Sequence, residues 1–184
     1  YPIGEDKSGN PIAGFYAGRT HDIIANTNCS LGAKENQEIL EIILSYMREN
    51  HIPAYRESTG EGLIRHVLIR KGFCSGELMV CLVINCKKAV GLREYLPAQQ
   101  RLIDALCKVS DMTSVSFSFN PERTNVIMGK ETLTVWGKDT IEDAVRVRDT
   151  DKNFEASEQE IRFDISPLSF YQVNPVQMEK LYSL

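Results

Sequence analysis

The chain has 184 residues, of which 42% are hydrophobic, enough to bury one core, or one core plus a fragment of a second domain. No apolar run approaches the roughly 20 residues that cross a bilayer, and Tyr1 begins no signal peptide. These features argue against a membrane or secreted protein and predict a cytoplasmic one. Five cysteines, an odd number without a Cys-x-x-Cys pair, do not fit a disulfide framework.

The net charge of −4 is unevenly distributed along the chain. Residues 139–160 hold three basic and eight acidic side chains, a local charge of −5, which leaves +1 for the rest. Residues 87–101 hold four basic side chains and one acidic, a local charge of +3. The composition therefore allows an RNA-binding surface without requiring one, because runs of charge are also ordinary solvated faces.

The first part of the chain predicts a linker, a hairpin and a helix. Residues 1–12 are rich in Gly, Pro, Asp and Asn, as in a linker or turn. Residues 13–25 alternate weakly and predict a short hairpin that turns at residues 18–20. Within residues 33–50, apolar side chains recur at steps of three and four, which predicts an amphipathic helix packed on a sheet.

Strand patterns dominate the middle of the chain. Residues 63–70 and 77–84 are apolar runs separated by a glycine-containing turn, which predicts a hairpin. Residues 92–109 repeat the helical period. Residues 114–119 alternate apolar side chains with three serines, so we expect the apolar side chains to point inward and the serines outward.

Residues 125–128 and 132–136 flank Gly129 and predict a further hairpin. The acidic residues 139–160 are expected to be loosely ordered. Taken in order, these elements predict an α+β fold, an antiparallel sheet with helices packed on one face. We assign this domain to residues 13–165.

A candidate site lies near the end of the chain. Phe170, Gln172 and Asn174 follow a strand-like run, residues 161–165, and precede Pro175. Aromatic faces stack on flat rings, and amides form hydrogen bonds with ring edges. Asn174 followed by proline also predicts a helix start, with the asparagine as cap. The alternative is therefore a capped helix beside which Phe170 is simply a core residue.

Basic side chains form a second group of candidates. Arg19 and His21 lie two residues apart at the first predicted hairpin turn. Period two places His66 and Arg70 on one face of the strand at residues 63–70, and Arg65 on the other. An open sheet face with such groups is a platform for RNA. The alternatives are a histidine bonded to turn backbone and strand arginines paired with carboxylates.

Two separated motifs resemble the bacterial RNA (uracil-C5-)methyltransferases. Ser-Phe-Tyr-Gln-Val-Asn-Pro, at residues 169–175, resembles their Phe-x-Gln-x-Asn motif at the entrance to the S-adenosylmethionine domain. Residues 14–24, followed by Cys29, resemble the Gly-Phe-x-x-x-Arg-Ser-His-x-Ile-Val segment of the 23S ribosomal RNA branch. Residues 63–70 and 124–129 also resemble that branch, so the resemblance covers nearly the whole chain.

The resemblance implies methyl transfer from S-adenosylmethionine to carbon 5 of a uridine in 23S rRNA. Gln172 would bind the cofactor, and Phe170 and Asn174 would form part of the target-base pocket. Residues 166–184 would begin a Rossmann-like methyltransferase domain. The residues that would bind RNA are Arg19, His21, Arg65, His66 and Arg70. The alternatives are a tRNA uracil-C5 methyltransferase, a non-catalytic RNA-binding module and a small-molecule regulatory domain.

The resemblance also implies groups outside this chain. Cys29 matches the fourth cysteine of a 4Fe-4S cluster in family members, and its three partners would precede Tyr1. Residues 1–12 would lead from an N-terminal nucleic-acid-binding domain. The nucleophilic cysteine and the glutamate base would follow Leu184, so we expect no catalytic residue in this chain and no activity from it alone. The expected partner is 23S rRNA, with no membrane and no obligate protein partner.

Overall fold

The computed structural model describes residues 1–87, 96–148, 158–172 and 174–183. Its elements follow in this order: β1 (Ile3–Glu5), β2 (Pro11–Tyr16), β3 (Ile23–Ala25), α1 (Asn36–Glu49), β4 (Ile64–Lys71), β5 (Leu78–Ile84), α2 (Gln99–Leu106), β6 (Met112–Phe119), β7 (Glu131–Gly137), β8 (Ile141–Arg148), β9 (Glu158–Ile165) and α3 (Pro175–Tyr182). The predicted α+β class is confirmed.

The central sheet has four strands in the order β4-β5-β6-β7. β4 and β5 form the predicted antiparallel hairpin. β5 and β6 pair in parallel, and β6 and β7 pair antiparallel. The sheet is therefore mixed rather than wholly antiparallel as expected. The difference arises because the connection from β5 to β6 contains α2, and a crossover of this kind returns the chain in the same direction.

The two helices α1 and α2 pack on one face of this sheet. Ile39 and Ile43 of α1 are buried in the same cluster as Leu82 and Phe117 of the sheet, which confirms the amphipathic helix. The helix predicted over 92–109 is observed at residues 99–106. Its predicted first residues, 92–95, lie outside the described residues.

The other face of the sheet is also covered, which corrects the expected orientation of the β6 serines. Ser114, Ser116 and Ser118 alternate with the apolar residues as predicted, but all three are fully buried. On this face Met79 of β5 packs with Ile141 and Ile165. The alternation is a local property of the strand, whereas burial of the serine face depends on distant segments.

Residues 1–12 form structure where we expected a linker. Ile3 of β1 pairs with Ala13 of β2, and both side chains are buried. The polar residues between them form a turn in which the Asp6 carboxylate accepts the amide of Asn10 at 2.9 Å. The polar composition of residues 1–12 therefore reflects this turn. The hairpin predicted at residues 13–25 is confirmed by the pairing of β2 with β3.

The hairpin predicted around Gly129 is wrong, since residues 125–128 form a loop and β7 pairs with β6. The Asn120 amide nitrogen holds this loop by donating to the carbonyls of Val126 and Ile127 at 2.6 and 2.9 Å. A Cβ atom at Gly129 would lie 1.9 Å from the Phe119 carbonyl oxygen, so glycine is required where the loop passes β6.

The described parts of the acidic region, residues 139–148 and 158–160, form more regular structure than expected. β8 and β9 form an antiparallel hairpin with continuous register from the Ile141–Ile165 pair to the Arg148–Glu158 pair. Its two end residues, Ile141 and Ile165, contribute to the core through Met79. The part of the predicted acidic excursion at residues 149–157 lies outside the described residues. Among the helices described, none is long and apolar enough to span a bilayer.

Candidate functional site

The predicted site residues fall into two regions. The first, which we call the groove, lies between the β8–β9 hairpin and α3 and carries Phe170 and Gln172 at one side. The second, which we call the cleft, lies beside the β2–β3 turn and is lined by residues that include Arg19, His21 and His66. The structure therefore separates the predicted base and cofactor residues from most of the predicted RNA-binding residues.

Phe170 follows a tight turn at the end of β9. The Ser169 amide donates to the Ser166 carbonyl at 3.1 Å, and the Ser166 amide donates to the Ser169 hydroxyl at 3.0 Å. The Phe170 side chain is 84% exposed, so the alternative that it is a core residue is wrong. The groove beside it is lined by Val145, Val147, Ile161, Phe163, Met178 and Tyr182, together with Tyr171 and Gln172. Its walls are therefore mostly aromatic and aliphatic, with an amide at the edge.

Asn174 is the predicted helix cap. Its side-chain oxygen accepts the amide of Gln177 at 3.1 Å, and Pro175 occupies the start of α3. This satisfies one of the free amides at the helix start and directs the chain from the groove into α3. The capping role is confirmed; the contribution of Asn174 to a base pocket stays a prediction.

Arg70 lies behind Phe170 rather than on an open face. Its half-buried guanidinium donates to the carbonyls of Pro167 and Ser169, in the turn that precedes Phe170. Burial lowers the pKa of Arg70 from its usual value. Arg70 therefore makes an internal contact, because the turn after β9 folds back over β4, and its RNA contact stays a prediction.

Asp143 is the residue that sequence reasoning missed at this site. Its carboxylate is 2% exposed and accepts the amides of Phe73, Cys74 and Ser75 at 3.0, 2.8 and 3.3 Å. It also accepts the Tyr171 hydroxyl. Burial by itself raises the pKa of Asp143, but the hydrogen bonds from Tyr171 and from the Cys74 and Phe73 amides outweigh it, so the net pKa is lowered. The sequence signal was an aspartate two residues from both Ile141 and Val145, on the apolar face of β8.

Four side chains in the cleft are linked by consecutive polar contacts. His21 Nδ1 lies 2.6 Å from Glu57 Oε2, the Tyr16 hydroxyl donates to Glu57 Oε1 at 3.2 Å, and the same hydroxyl lies 3.2 Å from His66 Nε2. Arg19 is exposed, with a positive φ of 64° in the turn. Arg19 and His21 thus lie at the hairpin turn, as predicted, and are open to solvent. The alternative, in which His21 bonds to turn backbone, is wrong, because its partner is the Glu57 carboxylate.

His66 and Arg65 are buried, which does not fit direct RNA contact. His66 is 7% exposed, and its pKa is lowered to about 4, chiefly by burial and to a smaller extent by Arg65. Arg65 is 3% exposed and donates to the carbonyls of Asn120 and Glu122 at 2.8 and 2.7 Å. Its guanidinium also lies 4.3 Å from the centre of the Tyr55 ring. The alternative carboxylate partner for Arg65 is wrong, since backbone carbonyls take its place. The RNA contacts of Arg65 and His66 stay predictions, and this burial argues against them.

Cys29 is half-buried, and the five cysteines, all of which lie in the described ranges, form no disulfide with one another. Within the described ranges, no three His, Cys, Asp or Glu side chains lie close enough to hold a metal ion. A cluster role for Cys29 therefore needs ligands that these ranges do not supply.

No family model matches the chain. Three proteins named uncharacterized RNA methyltransferases are similar to it over 98 to 99% of its length. They come from Caldanaerobacter subterraneus (36% identity), Clostridium acetobutylicum (36%) and Staphylococcus epidermidis (35%). The chain spans about a third of the length of these curated relatives, 35 to 36%.

A solved structure has a similar fold. It is the tRNA (uracil-54, C5)-methyltransferase of Pyrococcus abyssi in complex with S-adenosyl-L-homocysteine, with a TM-score of 0.65 and 22% sequence identity. The match covers 98% of this chain and 37% of that one. At 22% identity this structure supports only the similarity of fold. The similarity in sequence rests on the bacterial relatives at 35 to 36% identity. Over nearly its whole length, this chain is therefore similar to a segment that makes up about a third of the length of proteins named RNA methyltransferases.

Proposed function

We propose that this chain supplies RNA binding and part of the base and cofactor pocket to a cytoplasmic, S-adenosylmethionine-dependent 23S rRNA (uracil-C5-)methyltransferase. In this proposal residues 13–165 form its central domain and residues 166–184 begin the cofactor domain. The observation that carries the proposal is the 84% exposure of Phe170 in a segment whose backbone is held by Arg70. An exposed aromatic ring on a backbone segment that is fixed by hydrogen bonds is suited to stacking on another ring.

The groove has the composition that a nucleoside-like ligand requires. Its walls are apolar and aromatic, and Gln172 offers both a donor and an acceptor at its edge. Phe170 would stack on the target uracil, a contact worth roughly 1 to 3 kcal/mol per base. This would offset part of the few kcal/mol needed to flip the base out of its stack. The Gln172 amide would bind the cofactor.

S-adenosylmethionine supplies an electrophilic methyl group. Carbon 5 of uracil is a weak nucleophile, so the reaction needs a cysteine thiolate that adds to carbon 6 and thereby activates carbon 5. After methyl transfer, a base removes the proton from carbon 5 and the carbon–sulfur bond breaks, which restores the ring. These two groups are expected outside this chain. The residues proposed here act by stacking, hydrogen bonding and orientation.

RNA contact in the cleft is assigned to Arg19 and His21, the exposed members of the predicted set. The Arg19 guanidinium can bind a phosphate in bidentate fashion. The Arg-Thr-His resemblance favours a ribosomal substrate. A tRNA substrate is the second candidate, favoured by the name of the Pyrococcus abyssi structure. A 4Fe-4S cluster bound through Cys29 in a longer protein would be tested by the iron content before and after Cys29→Ser.

The first test is mass spectrometry of 5-methyluridine in 23S rRNA and in tRNA. Four strains are compared: the parent strain, a strain lacking the full-length protein, one with Gln172→Ala and one with Gln177→Ala. Gln177 is an exposed glutamine of α3 and is the matched control. We expect loss at a ribosomal uridine in the deletion and Gln172→Ala strains only. Loss in tRNA alone would select the tRNA alternative, and unchanged 5-methyluridine in the deletion strain would refute the methyltransferase proposal.

A second test separates the RNA-binding alternatives. Binding of an RNA fragment to this chain is measured at increasing salt, with Arg19→Ala compared to Lys7→Ala, an exposed residue in the turn between β1 and β2. Phosphate contacts predict affinity that falls steeply with salt and a smaller salt slope for Arg19→Ala. Absence of binding at low salt would favour the small-molecule regulatory reading. Methyl transfer by this chain alone is expected to be undetectable.

A further inference from the structure

We propose that Asp143 and Tyr171 are positioning residues that hold Phe170 and Gln172 at the groove. The effect on methylation rests on the proposed function, whereas the effect on the conformation of the segment does not. Neither residue needs to touch RNA or cofactor for this role. They act on the two residues that lie directly before and after Tyr171 in the chain.

The position of Tyr171 is fixed on several sides. Its hydroxyl donates to the buried carboxylate of Asp143. Its ring stacks on Phe73 at a centroid distance of 6.2 Å and an interplanar angle of 24°, and packs against Phe163 at 6.3 Å. Since Cα atoms of neighbouring residues are only about 3.8 Å apart, a fixed Tyr171 leaves Phe170 and Gln172 little freedom of displacement.

The carboxylate that holds Tyr171 is itself held in place. Asp143 accepts three consecutive backbone amides, those of Phe73, Cys74 and Ser75, in the turn between β4 and β5. The Ser75 hydroxyl also donates to the Glu142 carbonyl at 2.6 Å, which ties β8 to the same turn. The Tyr171 hydroxyl is therefore bonded to the central sheet through one ionised side chain.

An aspartate suits this position better than its amide would. Two carboxylate oxygens accept four donors here, and an ionised carboxylate has acceptors only. An asparagine would direct an NH₂ group at a backbone amide or at the Tyr171 hydroxyl. Asp143→Asn therefore disrupts the contacts while keeping the shape of the side chain.

Arg70 provides a second, independent tether on the other side of Phe170. It donates to the carbonyls of Pro167 and Ser169. Phe170 thus lies between one segment held by Arg70 and one held by Asp143, while its own ring is exposed. Release of either tether leaves the ring attached to the chain but free to leave the groove.

The conformational test uses the fluorescence anisotropy of a single tryptophan. Trp136 is the only tryptophan, so Trp136→Phe with Phe170→Trp places one reporter at the groove. Tyr171→Phe and Asp143→Asn are then added separately. Tyr46→Phe is the matched control, because its buried ring donates one hydrogen bond, to the Pro97 carbonyl at 2.8 Å, far from the groove in sequence. We expect lower anisotropy with Tyr171→Phe and Asp143→Asn, and no change with Tyr46→Phe. Unchanged anisotropy with Tyr171→Phe, or an equal fall with Tyr46→Phe, overturns the inference.

The functional test uses the full-length protein that carries this chain. With Tyr171→Phe we expect kcat for RNA methylation to fall roughly tenfold at saturating RNA and cofactor, because fewer molecules hold the reactive geometry. Tyr46→Phe should lower Tm by about as much as Tyr171→Phe does, since each removes one hydrogen bond, and should leave kcat unchanged. An unchanged kcat for Tyr171→Phe despite lower anisotropy would overturn the positioning role. If the wild-type protein transfers no methyl group, the proposed function fails, and the anisotropy result still decides the conformational claim.

Discussion

Replacement of Arg65 by methionine tests whether this arginine stabilises the fold or contacts RNA. The guanidinium is buried, donates to two backbone carbonyls and stacks on the Tyr55 ring. Methionine keeps an unbranched side chain of comparable length and removes every donor. The Asn120 and Glu122 carbonyls would then lose their partner. The loop at residues 125–128, which Asn120 holds, would lose this link to β4.

The expected loss of stability follows from these contacts. A hydrogen bond to a charged group contributes roughly 1.5 to 3 kcal/mol. A desolvated cation over an aromatic ring adds about 1 to 2 kcal/mol. The loss of these contacts is partly offset, because the variant no longer pays the desolvation cost of a buried charge. We therefore expect Arg65→Met to lower the free energy of unfolding by about 3 to 5 kcal/mol.

Urea unfolding followed by Trp136 fluorescence and far-ultraviolet circular dichroism measures this change. Arg123→Met is the control, because Arg123 also donates to two carbonyls, those of Glu57 and Ser58, but is exposed. Its loss should lower stability by less than about 1 kcal/mol. A stably folded Arg65→Met variant with weaker RNA binding would refute the reasoning and restore Arg65 as an RNA contact.

Three further predictions concern buried polar groups. Because the pKa of His66 is lowered to about 4 from 6.5, the folded chain binds this proton less readily than the unfolded chain, so stability should fall by up to about 3 kcal/mol as pH drops from 6.5 to 4. His66→Gln should flatten that part of the stability curve, and an equally steep curve would contradict the assignment. Lys71→Met should lower the free energy of unfolding in urea by about 2 to 4 kcal/mol, since it removes the ammonium 2.8 Å from the buried Glu35 carboxylate. Adding Glu35→Gln should recover part of this loss; strict additivity of the two changes would exclude the coupling. Ser114→Ala should leave stability unchanged or raise it by up to about 1 kcal/mol, because the buried Ser114 hydroxyl has no hydrogen-bond partner within the described ranges; a clear loss in thermal unfolding would reveal a contact.

Local contacts explain which parts of the site could be predicted. The cap at Asn174 joins atoms three residues apart, and the hairpin turn at Arg19 closes within a few residues. Such features depend on short stretches whose preferences are visible in the sequence. The exposure of Phe170 was left open because the same stretch also fitted a buried aromatic, and only the surrounding elements decide between the two.

Distant contacts explain what could not be predicted. The Asp143 carboxylate meets amides about 70 residues earlier in the chain and a hydroxyl 28 residues later. Arg65 is buried because its partners at Asn120 and Glu122 lie more than 50 residues away. Period two correctly placed His66 and Arg70 on one face, but it contains no information on what covers that face. The error was therefore in the burial of β4 and not in its pattern.

β4 connects the two regions and fixes the spacing between them. His66 at the cleft and Arg70 behind Phe170 are four residues apart on this strand, about 13 Å at the usual rise of a β-strand. His66 is buried, Arg70 is half-buried, and both form hydrogen bonds. We therefore expect the strand to act as a rigid spacer between the polar contacts of Tyr16, Glu57 and His21 and the turn before Phe170. If RNA binds at Arg19 while its target base stacks on Phe170, the distance between the two contacts is set by the central sheet and not by the exposed residues themselves. Substitutions that shift β4 should then weaken both contacts together, whereas Arg19→Ala and Gln172→Ala should each weaken one.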